Sequence, residues 1–197
     1  MAELIDSGAR REFKSGAVRD ISDDKGRCDL LPLDVVAKII MGANEPVDPI
    51  LESINGFIRT GDPYDLIVAI RVFCNDYLSG NIYTELLEVA KHYADGARKY
   101  DERNWEKGFD LHCFIDSGVR HYLKFRRGDE DEPHDRAFIW NMLGALWTYD
   151  HKPELNDLPF NCSSTETEKE TDYTEDFEGV INKIATCFVK EEKNNDN

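Results

Sequence analysis

Two pairs of acidic residues in this chain have the spacing of a metal site. Glu132 and Asp135 lie three residues apart, as do Glu85 and Glu88, and on a helix that spacing holds both carboxylates over one turn. Asp131, four before Asp135, joins the first pair. Such clusters suit Mg2+ (or Mn2+), hard cations that take carboxylates, waters and substrate phosphates as ligands. The competing explanation is that acids in a first helical turn stabilise the helix dipole or sit on a solvated face. If the pairs face each other across a bundle, Glu85, Glu88, Glu132 and Asp135 form a two-helix metal site.

Bases, amides and an indole surround these acids in the sequence. His134 shares a helical stripe with Ala137 and Asn141, so an imidazole and an amide lie on the margin of one helix, where either could meet a nucleotide or a metal-bound water. A lone helical histidine is more often a cap or a satisfied core residue. Asp116 and Arg120 are spaced for an internal ion pair; alternatively Arg120 projects toward a phosphate and His121 faces the acids across a helix-helix seam. The connection Lys99 to Gly108 carries Lys99, Arg103, Asn104, Trp105 and Glu106 where ordinary turn chemistry would place Gly, Asn and Ser. Trp105 either stacks on a base or plugs the core beside Phe109.

Helices have to position these groups. Asp48 before Pro49 and Asp62 before Pro63 are helix starts, because the proline lacks only an N–H that would go unpaired there. The first helix would bury Ile50, Leu51, Ile54, Phe57 and Ile58, and the second Leu66, Ile67, Ile70, Phe73, Cys74 and Tyr77. Ahead of them, Val35, Val36, Ile39 and Ile40 share one face of a helix that runs from Pro32 to Gly42. Asn81 caps a helix over 82–99 with a basic end, Asp110 starts one that stops at Gly128, and a last one runs from Glu132 to Trp147. Strand alternation is absent, which predicts an all-α helical bundle over 32–160. A polar arm, 1–31, precedes it, and an acidic segment poor in apolar residues, 161–197, follows as a flexible tail with a short amphipathic piece near Phe177 to Phe188.

Composition narrows the partners. A net charge of −16 over 197 residues disfavours a nucleic acid polymer, which is normally held by a basic stripe, but permits a small nucleotide in a local basic pocket. Five cysteines without CxxC spacing suit a reducing compartment, so the protein is expected to be cytoplasmic. No apolar run approaches the roughly 20 residues that span a bilayer, which predicts no membrane partner. Apolar residues on more than one side of 82–99 predict a homo-oligomer.

Several strings together resemble a known family. Gly96-Ala97-Arg98-Lys99-Tyr100, Arg103 to Gly108, Ser117-Gly118-Val119-Arg120-His121, Gly128-Asp129 and the His134 to Asn141 helix are similar to the phage dATP/dGTP diphosphohydrolase N-terminal family. Gly16 to Asp20 and Lys25 to Pro32 look like its opening motif, and 43–80 looks like a helical insertion. The family's second histidine, three positions after the one matching His134, is Ala137 here. Many members resemble the all-α nucleoside triphosphate pyrophosphatases of the MazG type. The resemblance implies Mg2+-dependent hydrolysis of a purine dNTP to dNMP and pyrophosphate, in the host cytoplasm if the chain is phage-encoded. Lys99, Arg103 and Arg120 would then neutralise phosphate, Asn104, Trp105, His134 and Asn141 would contact the nucleotide, and Glu106 or His121 would act as base or water-positioning group. The rival expectation, suggested by Ala137, is a non-catalytic protein that sequesters a nucleotide or a nucleotide-derived signal.

Overall fold

In the computed structural model, which describes residues 10–21, 25–41 and 47–162, three helix starts carry the caps their sequences encode. Asp48 accepts from the backbone N–H groups of Ile50 and Leu51 at 3.1 Å and opens α2 (Pro49–Thr60). Asp62 opens α3 (Pro63–Tyr77), and Asn81 opens α4 (Ile82–Lys99). With α1 (Leu33–Met41), α5 (Leu111–Arg127), α6 (His134–His151) and the short α7 (Pro159–Cys162), the architecture is all-α. The chain divides at Ser163 and Ser164, and the second unit, which includes the acidic tail and the piece near Phe177, lies outside the described residues.

Helices α5 and α6 form the central pair, and small residues let them approach. A Cβ on Gly144 of α6 would stand 2.3 Å from the Phe114 ring of α5, and one on Gly118 of α5 would stand 2.2 Å from the terminal methyl of Met142 of α6. Phe114 is fully buried and cannot yield, whereas Met142 ends in a flexible thioether. Gly144→Ala is therefore expected to destabilise the fold by about 1–3 kcal/mol despite alanine's better helix propensity, and more than Gly118→Ala does; denaturant melts of the two variants check this. Helix α4 packs on α6, and the α2–α3 hairpin joins the same core through Phe73, whose ring lies 4.6 Å from Phe138 and 5.0 Å from Phe125.

Three features depart from the sequence reading. On α1 the buried residues are Leu33 and Ala37, while Val35 and Ile39 are 44% and 72% exposed. Outside the Asp34–Lys38 stripe the helix is apolar over most of its circumference, so periodicity does not select the buried side and packing against α2 does. Ile67 on α3 is likewise exposed. Helix α6 begins at His134, so Glu132 lies in the preceding turn, because Pro133 biases the residue before it away from helical geometry. The N-terminal arm also contains an antiparallel hairpin, β1 (Arg10–Glu12) and β2 (Val18–Asp20), with Arg11 opposite Arg19. Strands of three residues are too short for alternation to register in the sequence.

Candidate functional site

The hairpin is tied across the α4–α5 connection and walls a cavity. Asn104, in a 3-10 turn spanning Asn104–Lys107, clasps Val18 with both ends of its amide, accepting from Val18 N at 3.0 Å and donating to Val18 O at 2.8 Å. Lys99 and the Tyr100 hydroxyl donate to Asp20 at 2.7 and 2.8 Å, and Ser15 donates to the Gly108 carbonyl. Further along the arm, Cys28 N donates to Asp116 at 2.6 Å, and Arg120 donates to Asp116 and to the Gly26 carbonyl. Between the arm and helices α4, α5 and α6 lies a space of about 1340 Å³, ample for a nucleotide.

Arg19 is the most unusual group in this cavity. The residue is half-buried, and its guanidinium, enclosed by protein on all sides but the cavity, donates to the Cys113 carbonyl at 3.0 Å and to Asn141 Oδ1 at 2.7 Å and lies over the rings of Phe109, Phe114 and Trp140. Burial pulls its pKa below the ordinary arginine value, and among the described residues no carboxylate pairs with it. An uncompensated buried cation is costly unless an anion joins it. His92 on α4 lines the same cavity; burial lowers its pKa to about 4, and its Nδ1 has no partner among the described residues. Tyr93 and Trp140 stand beside it as flat apolar faces, their ring centroids 6.0 Å apart.

At the end formed by α5 and the turn before α6, His121 and His134 face each other with their Nδ1 atoms 3.0 Å apart. Glu132 Oε1 lies 3.6 Å from each, and His134 Nε2 is 2.8 Å from Asp131 Oδ1. Burial, followed by the neighbouring His134, holds the His121 pKa well below its usual value. Among the described residues, His121, Glu132 and His134 form one of three sets compact enough to hold a metal ion.

The carboxylates chosen by spacing do not converge there. Glu85 is buried against Ser79, whose backbone N–H it accepts at 3.2 Å, and so secures the α3–α4 turn. Glu88 pairs with Lys91 and with Arg136, the latter at 3.0 Å. Asp135 lies in the first turn of α6, where its charge is felt by His92. Among the described residues no metal-capable set includes any of these three. They sit on faces that the α4–α6 packing directs elsewhere, and only Glu132 reaches the cavity wall.

The remaining expected residues divide between the cavity and its scaffold. Lys99, Arg103, Asn104, Trp105, Arg120, His121 and Asn141 all line the cavity. Asn104, however, uses its amide on Val18, and Arg120 forms the internal ion pair with Asp116 at 2.6 Å, so both fasten the arm. Trp105 packs edge-on against Tyr93 and Trp147, closer to the core reading than to base stacking. Asn141 accepts from Arg19 and donates to the Ala137 carbonyl. Glu106 pairs with the exposed Arg103, which adopts a left-handed conformation at φ 57°, and it is not part of the cavity wall. Sequence reasoning assigned no role to Arg19, Asp20 or His92, and local patterning carries no signal for them.

A second polar group borders the cavity. His112 at the start of α5 bonds through Nδ1 to Asp157, and its Nε2 lies 3.4 Å from the Cys113 thiol. The hydrogen bond to Asp157, followed by that to Cys113, raises the His112 pKa from 6.5 to about 10. A raised pKa stabilises the fold below the ordinary value and ceases to do so as pH climbs through the folded one. Stability contributed by His112 is thus expected to fall by about 2 kcal/mol between pH 7 and 10, the half-exposed carboxylate limiting the effect. Melting curves of wild type and His112→Gln across that range should converge.

Residues 76–158 match the family described as dATP/dGTP diphosphohydrolase, N-terminal. The match runs from the end of α3 to the loop before α7. The diphosphohydrolase segment thus contains α4, α5 and α6 with His92, His121, Glu132 and His134, whereas Arg19 and the rest of the arm lie upstream of it. No curated protein matches the chain, and no solved structure matches it. Among the described residues no helix is long and apolar enough to cross a membrane.

Proposed function

We propose that the cavity binds a purine deoxynucleoside triphosphate and hydrolyses it to the monophosphate and pyrophosphate. One observation carries this reading: a buried guanidinium, Arg19, faces a nucleotide-sized cavity without a carboxylate of its own, beside the diphosphohydrolase segment. A polyphosphate supplies the missing anion, and the fork of Arg19, already oriented by Asn141 and the Cys113 carbonyl, meets it without further ordering. Preorganised cations of this kind stabilise charge that builds on phosphoryl oxygens, the main lever in phosphoryl transfer. Lys99, held by Asp20, adds to the cationic wall.

The base is read at the α4 side. Tyr93 and Trp140 supply faces, and the unpartnered Nδ1 of the neutral His92 offers a hydrogen bond to a heterocycle edge. Of His121 and Glu106, the two groups expected to handle a proton, His121 lines the cavity and Glu106 does not; as a ligand through Nδ1 it would keep its Nε2 proton to donate. A divalent ion held by His121, Glu132 and His134 would polarise a phosphoryl oxygen and acidify a water. Of the expected carboxylates Glu85, Glu88, Glu132 and Asp135, Glu132 alone takes part in this arrangement.

The test is product analysis. Incubation of the full chain with each of the four dNTPs, with Mg2+ and separately with Mn2+, is expected to release dNMP and pyrophosphate from dATP or dGTP. Intact triphosphate recovered at one equivalent per chain would replace hydrolysis by capture. Neither turnover nor binding with any nucleotide would remove the reading altogether.

A further inference from the structure

The corner where α5 meets the turn before α6 has the dimensions of a nitrogen-rich metal centre. We infer that His121, Glu132 and His134 hold a first-row transition ion, of the Mn2+ to Zn2+ series, in preference to Mg2+. The inference rests on the hydrolytic reading only for its use; the site itself is argued from geometry.

Three donor atoms, His121 Nδ1, His134 Nδ1 and Glu132 Oε1, define a triangle with edges of 3.0, 3.6 and 3.6 Å. The centre of such a triangle is about 2 Å from each corner, the bond length from these ions to imidazole nitrogen or carboxylate oxygen. Two nitrogens and one oxygen favour transition ions, whereas Mg2+ takes oxygen ligands in an octahedron and gives up its waters reluctantly. Three protein ligands leave positions open for water or a phosphate oxygen.

Proton bookkeeping supports the same assignment. A carboxylate can only accept, so the 2.8 Å contact with Asp131 places the His134 proton on Nε2 and leaves Nδ1 as a lone pair aimed at His121. A carboxylate behind a ligating histidine is the usual second support of a metal centre. Two imidazoles meeting through Nδ1 can share at most one proton, and an ion between them satisfies both lone pairs together with the carboxylate. His121 then keeps its Nε2 proton as a donor and acts as a ligand.

The two other compact donor sets are less suitable. Asp129 is paired with Arg127, and Asp131 lies 2.8 Å from Lys124, so the set Asp129, Asp131 and His134 already has its cations. Glu132, in contrast, is approached by Lys124 only at 4.0 Å. In the set Asp110, His112 and Cys113, the His112 ring is held protonated by Asp157 and has no lone pair to give.

Isothermal titration of the full chain with Co2+, Mn2+ and Mg2+, together with the visible spectrum of the Co2+ form, tests this directly. Co2+ is expected to bind at one equivalent per chain, at least about 100-fold tighter than Mg2+, with ligand-field bands in the visible. Glu132→Gln and His121→Ala should each weaken Co2+ at least about 10-fold, and Asp131→Asn about 10-fold through His134, while Glu88→Gln leaves it unchanged. Circular dichroism confirms folding, and the isosteric Glu132→Gln keeps the test decisive if a histidine variant fails to fold. Equal affinity for Mg2+, or Co2+ affinity unmoved in the folded Glu132→Gln and His121→Ala variants, overturns the inference and leaves triphosphate hydrolysis standing. Tight, histidine-dependent Co2+ binding without consumption of any dNTP would support the centre while removing the hydrolytic role.

Discussion

Arg19→Met lowers affinity for a non-hydrolysable dGTP analogue by at least about 100-fold, because the variant removes a desolvated cation that has no carboxylate partner among the described residues. The thermal midpoint is expected to move by no more than a few degrees. Loss of the charge relieves its desolvation, while Asn141 Oδ1 and the Cys113 carbonyl each lose a donor, and the two effects oppose one another. This pairing of a large binding loss with a small stability change separates a ligand-directed arginine from a structural one. Arg19→Lys keeps the charge but lacks the fork that spans Cys113 and Asn141, so an intermediate loss of about 10-fold follows. Titration calorimetry with the analogue and differential scanning calorimetry read both quantities. Binding unchanged in Arg19→Met would remove the anion role.

The largest loss of stability is expected at Asp48. Its carboxylate is fully buried, caps α2 through two backbone N–H groups, accepts from the Tyr122 hydroxyl at 2.5 Å and pairs with Arg126 at 3.1 Å. Asp48→Ala removes the cap, leaves the buried Tyr122 hydroxyl without its acceptor and takes the counter-ion from the partly buried Arg126, a loss of about 3–5 kcal/mol. Asp48→Asn keeps a capping oxygen and gives up the charge, so about half of that loss is expected. Urea unfolding of the two variants provides the measurement. Equal stabilities of the two variants would show that the charge alone matters and the cap does not, and an unchanged midpoint in Asp48→Ala would show that neither cap nor network contributes. Asp48 does not line the cavity, so nucleotide affinity at a temperature where the variants are folded should stay at the wild-type level.

Helix positions were legible because their signals are local. The caps Asp48, Asp62 and Asn81 and the stop at Gly128 each act within one turn, and the structure places α2 through α5 where those residues direct. The start of α6 was missed by two residues because Pro133 outweighed the acidic run before it. Which part of a broad apolar face such as that of α1 is buried depends on its neighbour, and so was not legible.

The site followed the same division. Chemistry-bearing residue types concentrate between Lys99 and Asn141, and most of them do line one cavity. Their partners did not follow from spacing: Glu85 closes on Ser79 and Glu88 on Arg136, while His121 and His134, thirteen positions apart, meet at 3.0 Å. Arg19 and Asn141, 122 positions apart, are joined only because the N-terminal hairpin folds over the α4–α5 connection.

By itself the sequence determined the helical class, the caps and the segment that carries the chemistry, since period, capping and composition act over a few residues. Which acids point inward, which histidines meet and which arginine is left without a counter-ion were decided by the packing of α4, α5 and α6 and by the arm laid across them. Those outcomes depend on contacts between positions remote in the chain, and residue spacing carries no information about them.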